Sequence, residues 1–387
     1  MSEYTRDALG LAEHVDCGFA DLECPQQNPK AVHADIRQRY CHWYLPVFAN
    51  PFYGGVMTIL RLAAHLQDAH GVRQRFLVCG ECDESHIANL IASAFPTLGG
   101  SDVLALNAER MRSLPPADYS VATLWTTAYV LLTVKNTGYK FYMIQDFEPL
   151  FYPAGSTFAQ AELTYRFGFY GLANTGTLCE IYEAGYGGKA VAFSPCVDPS
   201  IFFPGRELPS VGAKRLFYYA RPGTPRNGFE LAAVVLRRVK QKLGEGVDIV
   251  CAGAVWRPED FGLGGIVRSV GVLPYEQTAA LYRTCHASLV LMMTKHPSYL
   301  PFELMACGSI VVSNYNPSTT WFLKDKQNCL LSQPSAACLT DTIVHALENY
   351  AELRDIRTFA VEQIRREHAD WDREMDKVAQ FMHKPGL

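Results

Sequence analysis

Short apolar runs punctuate the chain, and between them apolar residues recur every third or fourth position. In the first half the runs fall at 41–47, 74–78, 103–106, 118–125, 139–144, 170–179 and 190–193. Most are long enough for a buried strand and too short for an ordinary helix. The run at 118–125 points on toward Thr126 and Thr127 as one strand. Residues 57–67 carry helical spacing. The pattern then restarts. Strands are predicted at 215–220, 248–252, 267–271, 288–293 and 310–312, with helices at 229–242, 276–284 and 300–307. A further helix ends near 350, and a last helical stretch covers 353–381. Strands alternating with amphipathic helices describe an α/β protein. The segment 205–214 between the two series is charged and rich in Pro and Gly, so it reads as an interdomain linker. Residues 1–39 are polar and predict an N-terminal extension with a short helix.

Composition narrows the class. A chain of 387 residues exceeds one typical domain, and 49% hydrophobic content fills two cores. Charged residues make up 19%, with a net charge of −4, which gives no footing for nucleic acid or for strong attraction to anionic membranes. The longest apolar stretch, 121–134, is broken by threonines and a tyrosine, so no transmembrane span is expected. The opening MSEYTRDALG lacks signal-peptide character, and the expected compartment is the cytoplasm. Twelve cysteines sit mostly inside apolar runs, as buried free thiols do in a reducing compartment. Cys79-Gly-Glu-Cys82 has the spacing of a redox pair but lacks the flanking aromatic, and no second pair stands at zinc-site spacing. Asp370-Trp371-Asp372 lies in a helical stretch and reads as solvated surface.

Candidate chemistry concentrates at strand ends. Residues 287–314 read ASLVLMMTKHPSYLPFELMACGSIVVSN. This is a strand, a polar turn, a helix with Pro301 in its first turn and Gly308 as its stop, then another strand. Amides at Ser298, Tyr299 and Leu300 are donors at the positive end of that helix, where phosphate binds. Glu303, one turn in, accepts hydrogen bonds only when ionised and suits the paired hydroxyls of a ribose. Together they describe a nucleotide site; an ordinary βαβ crossover would instead put Glu303 on a solvated face. Arg221 and Arg226 surround a Pro/Gly turn before the helix at 229–242. Two guanidiniums there form a diphosphate clamp, or else two surface arginines in a loop. Gly54-Gly55, between the first strand and its helix, either admits a ligand close to the backbone or makes a tight turn. Asp146 and Glu148 follow the strand at 139–144, where polar residues face the cleft of an α/β sheet. Either is a candidate to orient or deprotonate an attacking hydroxyl, Asp146 before Glu148, and either is a candidate helix cap.

The stretch 287–314 resembles the donor-binding motif of GT-B glycosyltransferases, in the large family that includes glycogen and sucrose synthases. That pattern is Glu-Pro-Phe-Gly, four residues, Glu, then Ala-Met-Ala-Cys-Gly and a Pro-Val-Val strand. Glu303 and Met305-Ala306-Cys307-Gly308 match it, while His296 stands in the place of the first Glu. Gln145-Asp146-Phe147-Glu148-Pro149 with Phe151-Tyr152-Pro153, and Tyr219-Ala220-Arg221-Pro222-Gly223-Thr224-Pro225-Arg226-Asn227, resemble the WsaF-type rhamnosyltransferases.

The resemblance implies two Rossmann-like domains facing each other across a cleft, at 1–205 and 206–365, with a C-terminal helix at 366–387 crossing back to the first. It implies transfer of a sugar from a nucleoside diphosphate, first of all rhamnose from dTDP-rhamnose, to a hydroxyl of a growing surface polysaccharide or lipid-linked glycan. Retention is the family's usual outcome. Arg221 and Arg226 would hold the diphosphate, Gly54 and Gly55 would line the cleft beside it, and backbone near Leu273 would cover the base. His296 would hydrogen-bond sugar or phosphate as a donor, and Asp146 would meet the acceptor. No metal or other cofactor, no nucleic acid and at most peripheral membrane association are expected. A nucleotide-sugar epimerase and an inactive glycan- or nucleotide-binding module are the rival functions on this fold.

Overall fold

The apolar runs become strands of two wholly parallel sheets. The computed structural model describes residues 38–385 continuously and, before them, 9–10, 12–13, 16–23, 30 and 32–35. The first sheet holds β1 Tyr40–Pro46, β2 Arg73–Cys79, β3 Asp102–Ala105, β4 Ala117–Ala122, β5 Thr137–Ile144, β6 Tyr170–Ala173 and β7 Lys189–Ala192, in the order β3-β2-β1-β4-β5-β6-β7. The second holds β8 Lys214–Tyr219, β9 Val247–Ala252, β10 Arg268–Ser269, β11 Ala287–Val290, β12 Ile310–Asn314 and β13 Leu330–Ser332, in the order β10-β9-β8-β11-β12-β13. Each is doubly wound, because its strand order reverses after the third strand. The reversal leaves a crevice outside the carboxyl ends of β1 and β4 in one sheet, and of β8 and β11 in the other.

Helices cover these sheets, so strand side chains are buried on both faces. In β1, Trp43, Tyr44 and Leu45 are all buried, with Trp43 in register with Phe76 on one side and Val121 on the other. In the second sheet Leu289 aligns with Tyr218 and Val312, all buried. Each such burial contributes about 1.5–3 kcal/mol, which is why uninterrupted apolar runs fix these strands. The helix Phe229–Leu243 buries Phe229, Ala232, Ala233, Val235, Leu236 and Val239 and turns Arg238 to solvent, as its spacing predicts.

The chain divides into two compact units, Met1–Ser194 with Asp372–Leu387, and Pro195–Trp371. The boundary expected at 205/206 thus falls at 194/195, and the Pro/Gly-rich segment 205–214 lies inside the second unit. The chain returns to the first unit at 372, not 366. The single helical stretch expected over 353–381 is two helices, Arg354–Glu367 and Trp371–His383. The break has a local cause. The His368 carbonyl accepts the Val197 N–H (2.8 Å), and its Nδ1–H donates to the Pro195 carbonyl (3.0 Å). These bonds tie the end of the first helix to the other crossover segment of the second unit.

Two apolar runs also change state midway. The strand expected over 118–125 ends at Ala122, and a helix, Trp125–Thr133, starts instead. Thr127 Oγ1 accepts the N–H groups of Thr123 and Leu124, which closes the helix start (3.0 and 3.1 Å). The run 170–179 is β6 followed by the helix Gly176–Tyr186, with Thr175 Oγ1 capping the Leu178 N–H (3.2 Å). Of the expected N-terminal extension, Phe19–Glu23 forms a short helix, and the remainder lies largely outside the described residues. Among the described residues no helix is long and apolar enough to cross a membrane, and every cysteine is free. Burial pushes the Cys79 thiol up to about 12 and also raises Cys82, which leaves this pair far from thiolate chemistry.

Candidate functional site

In the second unit, the loops leaving β8 and β11 meet outside the crevice. After β8, residues 221–228 form two tight turns, with Thr224 N–H to the Arg221 carbonyl (3.0 Å) and Gly228 N–H to the Pro225 carbonyl (2.9 Å). Gly228 is left-handed (φ 58°), and a Cβ there would lie 3.1 Å from Met293 Cε and 3.3 Å from Leu291 Cδ1. Conformation and contact therefore both call for glycine at the start of the 229–243 helix. The Met293 N–H donates to the Arg226 carbonyl (3.1 Å), so the arginine loop is stitched to the exit of β11. Arg221 and Arg226 are both half-buried.

The loop after β11 is shaped by side chains that the sequence reading did not single out. Asn314, at the end of β12, accepts the Met292 N–H on Oδ1 (2.8 Å) and donates Nδ2–H to the Met292 carbonyl (3.0 Å). Asn316 donates to the Thr294 carbonyl (2.6 Å). These amides act as a surrogate strand where the ladder has ended. The visible signal was the pair of asparagines in Ser313-Asn314-Tyr315-Asn316, just past a buried strand.

His296 is buried beyond this clamp, and its Nδ1 accepts the Ser298 N–H (2.9 Å). A neutral ring with an accepting Nδ1 carries its proton on Nε2, so His296 presents a donor there. The same bond commits the Ser298 amide, which the sequence reading assigned to phosphate. Ser298 adopts a left-handed φ of 66°, a conformation costing a non-glycine residue about 1–3 kcal/mol. Tyr299 is half-buried, its ring 5.9 Å from His296 and 6.0 Å from Trp371. Trp371 is thus packed and not wholly solvated, although Asp370 and Asp372 beside it are exposed.

Helix Leu300–Ala306 follows, with Pro301 in its first turn and Gly308 (φ 84°) just beyond it, as read from sequence. Glu303 sits one turn in and keeps part of its surface, but the protein around its carboxyl excludes water. Burial pushes its pKa from 4.5 up to about 8. A carboxyl raised by desolvation at the crevice of a doubly wound sheet is a functional-site signature. Leu273 is half-buried against the core beneath this helix, four residues past β10.

In the first unit, Gly54 and Gly55 open the helix Gly54–Asp68 and are exposed. Gln145, at the end of β5, donates Nε2–H to the Gly55 carbonyl (3.0 Å), which brings the glycine turn beside the Asp146 segment. Asp146 is buried, with Oδ1 accepting the Phe147 N–H (2.8 Å) while Tyr165 OH donates to its carbonyl (3.0 Å). Glu148 lies deeper. Its Oε2 accepts the Trp125 N–H (2.6 Å) and the Tyr142 hydroxyl (2.9 Å). The helix-capping role open to either carboxylate therefore falls on Glu148, for a helix earlier in the chain.

Comparison with known proteins bears on the family and the fold. The N-terminal domain of the WsaF family matches residues 46–173, and its C-terminal domain matches residues 214–344. The O-antigen biosynthesis protein RfbC of Myxococcus xanthus is 39% identical over 358 residues, covering 92% of this chain; the chain spans 28% of that protein's length. Sucrose-phosphate synthase from Thermosynechococcus elongatus superposes with a TM-score of 0.69 at 13% identity, over 89% of this chain and 98% of that one. HepE from Anabaena, in complex with UDP and glucose, does so with a TM-score of 0.69 at 13% identity, over 89% and 99%. With both WsaF domains matched in order, each on its own doubly wound sheet, the chain belongs to the WsaF family and has the GT-B glycosyltransferase fold.

Proposed function

We propose that the chain transfers a sugar from a nucleoside diphosphate to a carbohydrate hydroxyl, with dTDP-rhamnose as donor and a growing surface polysaccharide or lipid-linked glycan as acceptor. The observation that carries this reading is the second unit's crevice. A carboxyl raised by burial stands one turn into the helix that follows β11, and a loop bearing two arginines is bonded to the exit of the same strand. HepE, on the same fold, holds UDP and glucose, which supports a nucleotide-sugar donor, and the name of RfbC supports a polysaccharide product.

In the proposed reaction the acceptor oxygen bonds to the anomeric carbon and the bond from that carbon to the diphosphate oxygen breaks. The diphosphate leaves with the electron pair. Arg221 and Arg226 take up the charge that grows on it, which removes the need for a metal at this step. His296 donates Nε2–H to the sugar or the diphosphate. Glu303 accepts from the nucleotide's sugar, in dTDP from its 3′-hydroxyl alone, a contact that favours its ionised form and offsets the burial. Tyr299 and Leu300 border the diphosphate, and backbone near Leu273 covers the base. In the first unit, Gly54 and Gly55 let the backbone approach the substrates. Asp146, a carboxylate just past the end of β5, receives the acceptor's proton. Retention, the family's usual outcome, requires the acceptor to attack from the face that the diphosphate leaves. The enzyme works in the cytoplasm, peripheral to a membrane at most, and binds no nucleic acid.

The test is release of nucleoside diphosphate from dTDP-, UDP- and GDP-sugars, with and without acceptor glycan. Acceptor-dependent release with sugar incorporated into the glycan supports the proposal. Nucleotide binding without release would leave a binding module, and sugar interconversion without release would leave an epimerase. Either result would overturn it.

A further inference from the structure

A cluster of nitrogen and oxygen ligands stands in the first unit, on residues that the transfer chemistry does not use. His65 lies in the last turn of the helix Gly54–Asp68, His70 follows that helix, and Asp376 lies on the helix Trp371–His383. Asp376 Oδ1 is 2.8 Å from His65 Nε2 and 3.3 Å from His70 Nε2. One ligand atom from each of the three falls within 4.8 Å of the others. We propose that His65, His70 and Asp376 bind a divalent transition metal of the zinc class, which fastens the C-terminal helix to the first unit.

Proton bookkeeping on His65 points to a cation. Its Nε2 faces Asp376, and its Nδ1 faces the Asp372 carboxylate at 3.6 Å. A neutral imidazole has a single N–H, so two facing carboxylates call either for a proton on both ring nitrogens or for a metal on one of them. A metal on Nε2 leaves Nδ1–H for Asp372, the arrangement by which carboxylates orient metal-bound histidines. His70 is backed in the same way. Its Nδ1 lies 3.3 Å from His383 Nε2, and His383 Nδ1 lies 2.8 Å from the Tyr119 hydroxyl, which Arg39 also contacts. With metal on His70 Nε2, Nδ1–H donates to His383 Nε2, and His383 keeps its own proton on Nδ1 toward the Tyr119 oxygen.

The ligand set and spacing suit zinc. Two imidazoles and one carboxylate are common zinc ligands, with water in a fourth position. Metal bonds of about 2.0–2.2 Å place tetrahedral ligands roughly 3.4 Å apart, inside the range these atoms span. The two histidines are separated from Asp376 by more than three hundred residues in sequence, so the metal would close a loop that includes the whole second unit. Its benefit is to hold the returning helix, not to assist transfer.

The experiment uses the untagged full chain, stripped of metal with chelator. Zn²⁺ is titrated by calorimetry and Co²⁺ by visible absorption, with thermal unfolding recorded in parallel. One Co²⁺ per chain, with ligand-field bands and a metal-dependent rise in melting temperature, is expected. Asp376→Asn and His70→Gln should each weaken binding at least as much as Asp372→Asn, which removes the carboxylate behind His65 Nδ1 and is expected to cost about 10–100-fold. Circular dichroism of the metal-free variants identifies which are folded. Should Asp376→Asn fail to fold, His70→Gln, whose ring lies past the helix end, decides. No stoichiometric Co²⁺ binding by the folded chain, or unchanged affinity in a folded ligand variant, would overturn the site.

Discussion

Glu303→Gln separates what the fold tolerates from what the site requires. Folding moves this carboxyl's pKa from 4.5 to about 8, with burial as the cause. Between those values the folded chain keeps a proton that the unfolded chain has lost, so wild-type stability falls as pH rises through that window. The gap from 4.5 to 8, at 1.36 kcal/mol per pH unit, amounts to about 5 kcal/mol. Part of the residue faces solvent, so screening reduces the realised cost to roughly 2–4 kcal/mol. Glutamine has no charge to desolvate. In the absence of ligand, the variant should therefore match the wild type near pH 4.5 and be more stable by that amount near pH 8.5. Urea unfolding at a series of pH values measures the difference, with Trp256 and Trp321, packed against the cores of the second unit, among the fluorescent reporters. On the same preparations, nucleoside diphosphate affinity should fall about tenfold or more, since a hydrogen bond to a charged group is worth about 1.5–3 kcal/mol. The fall should be smaller for dTDP, which offers one sugar hydroxyl fewer. A stability difference independent of pH, or a variant weaker at pH 8.5, would show that the folded protein satisfies the carboxylate and would refute the argument.

Arg226→Ala should lower turnover by about 100–1,000-fold with little change in melting temperature, because the bond from Met293 reaches the backbone carbonyl and survives the substitution; near-normal turnover in a folded variant would remove Arg226 from the mechanism. Asp146→Asn should depress transfer and spare donor binding, since the amide oxygen can still accept the Phe147 N–H; full transfer activity would place Asp146 outside the chemistry, and lost donor binding would assign it to the donor pocket. Glu148→Ala should cost roughly 2–5 kcal/mol of stability, because it strands the Trp125 N–H and the buried Tyr142 hydroxyl; a loss below 0.5 kcal/mol by urea denaturation would contradict the capping role.

The sequence by itself determined whatever depends on near neighbours. Uninterrupted apolar runs made strands, three-to-four spacing made helices, Gly308 stopped one of them, and turns at 221–228 and 294–299 fell at strand ends. Those features need a few consecutive residues and a water interface, so they are legible without the fold. The candidate site was legible in the same measure: the arginine loop, His296 and Glu303 could be proposed from their local motifs. Only tertiary structure decided their states. Burial of Glu303 depends on the atoms that surround it in three dimensions, and the His296 proton was placed by a bond to Ser298 that requires a left-handed serine. Asp146 and Glu148 look alike in the chain, yet only Glu148 meets an amide 23 residues upstream. The continuous helical pattern over 353–381 gave no hint of a break, because the partners that capture His368 lie at 195 and 197. His65 and Asp376 meet across 311 positions. Side-chain periodicity records which face of an element is buried, but which distant group that face meets is set by strand order and by where the chain crosses between its two units.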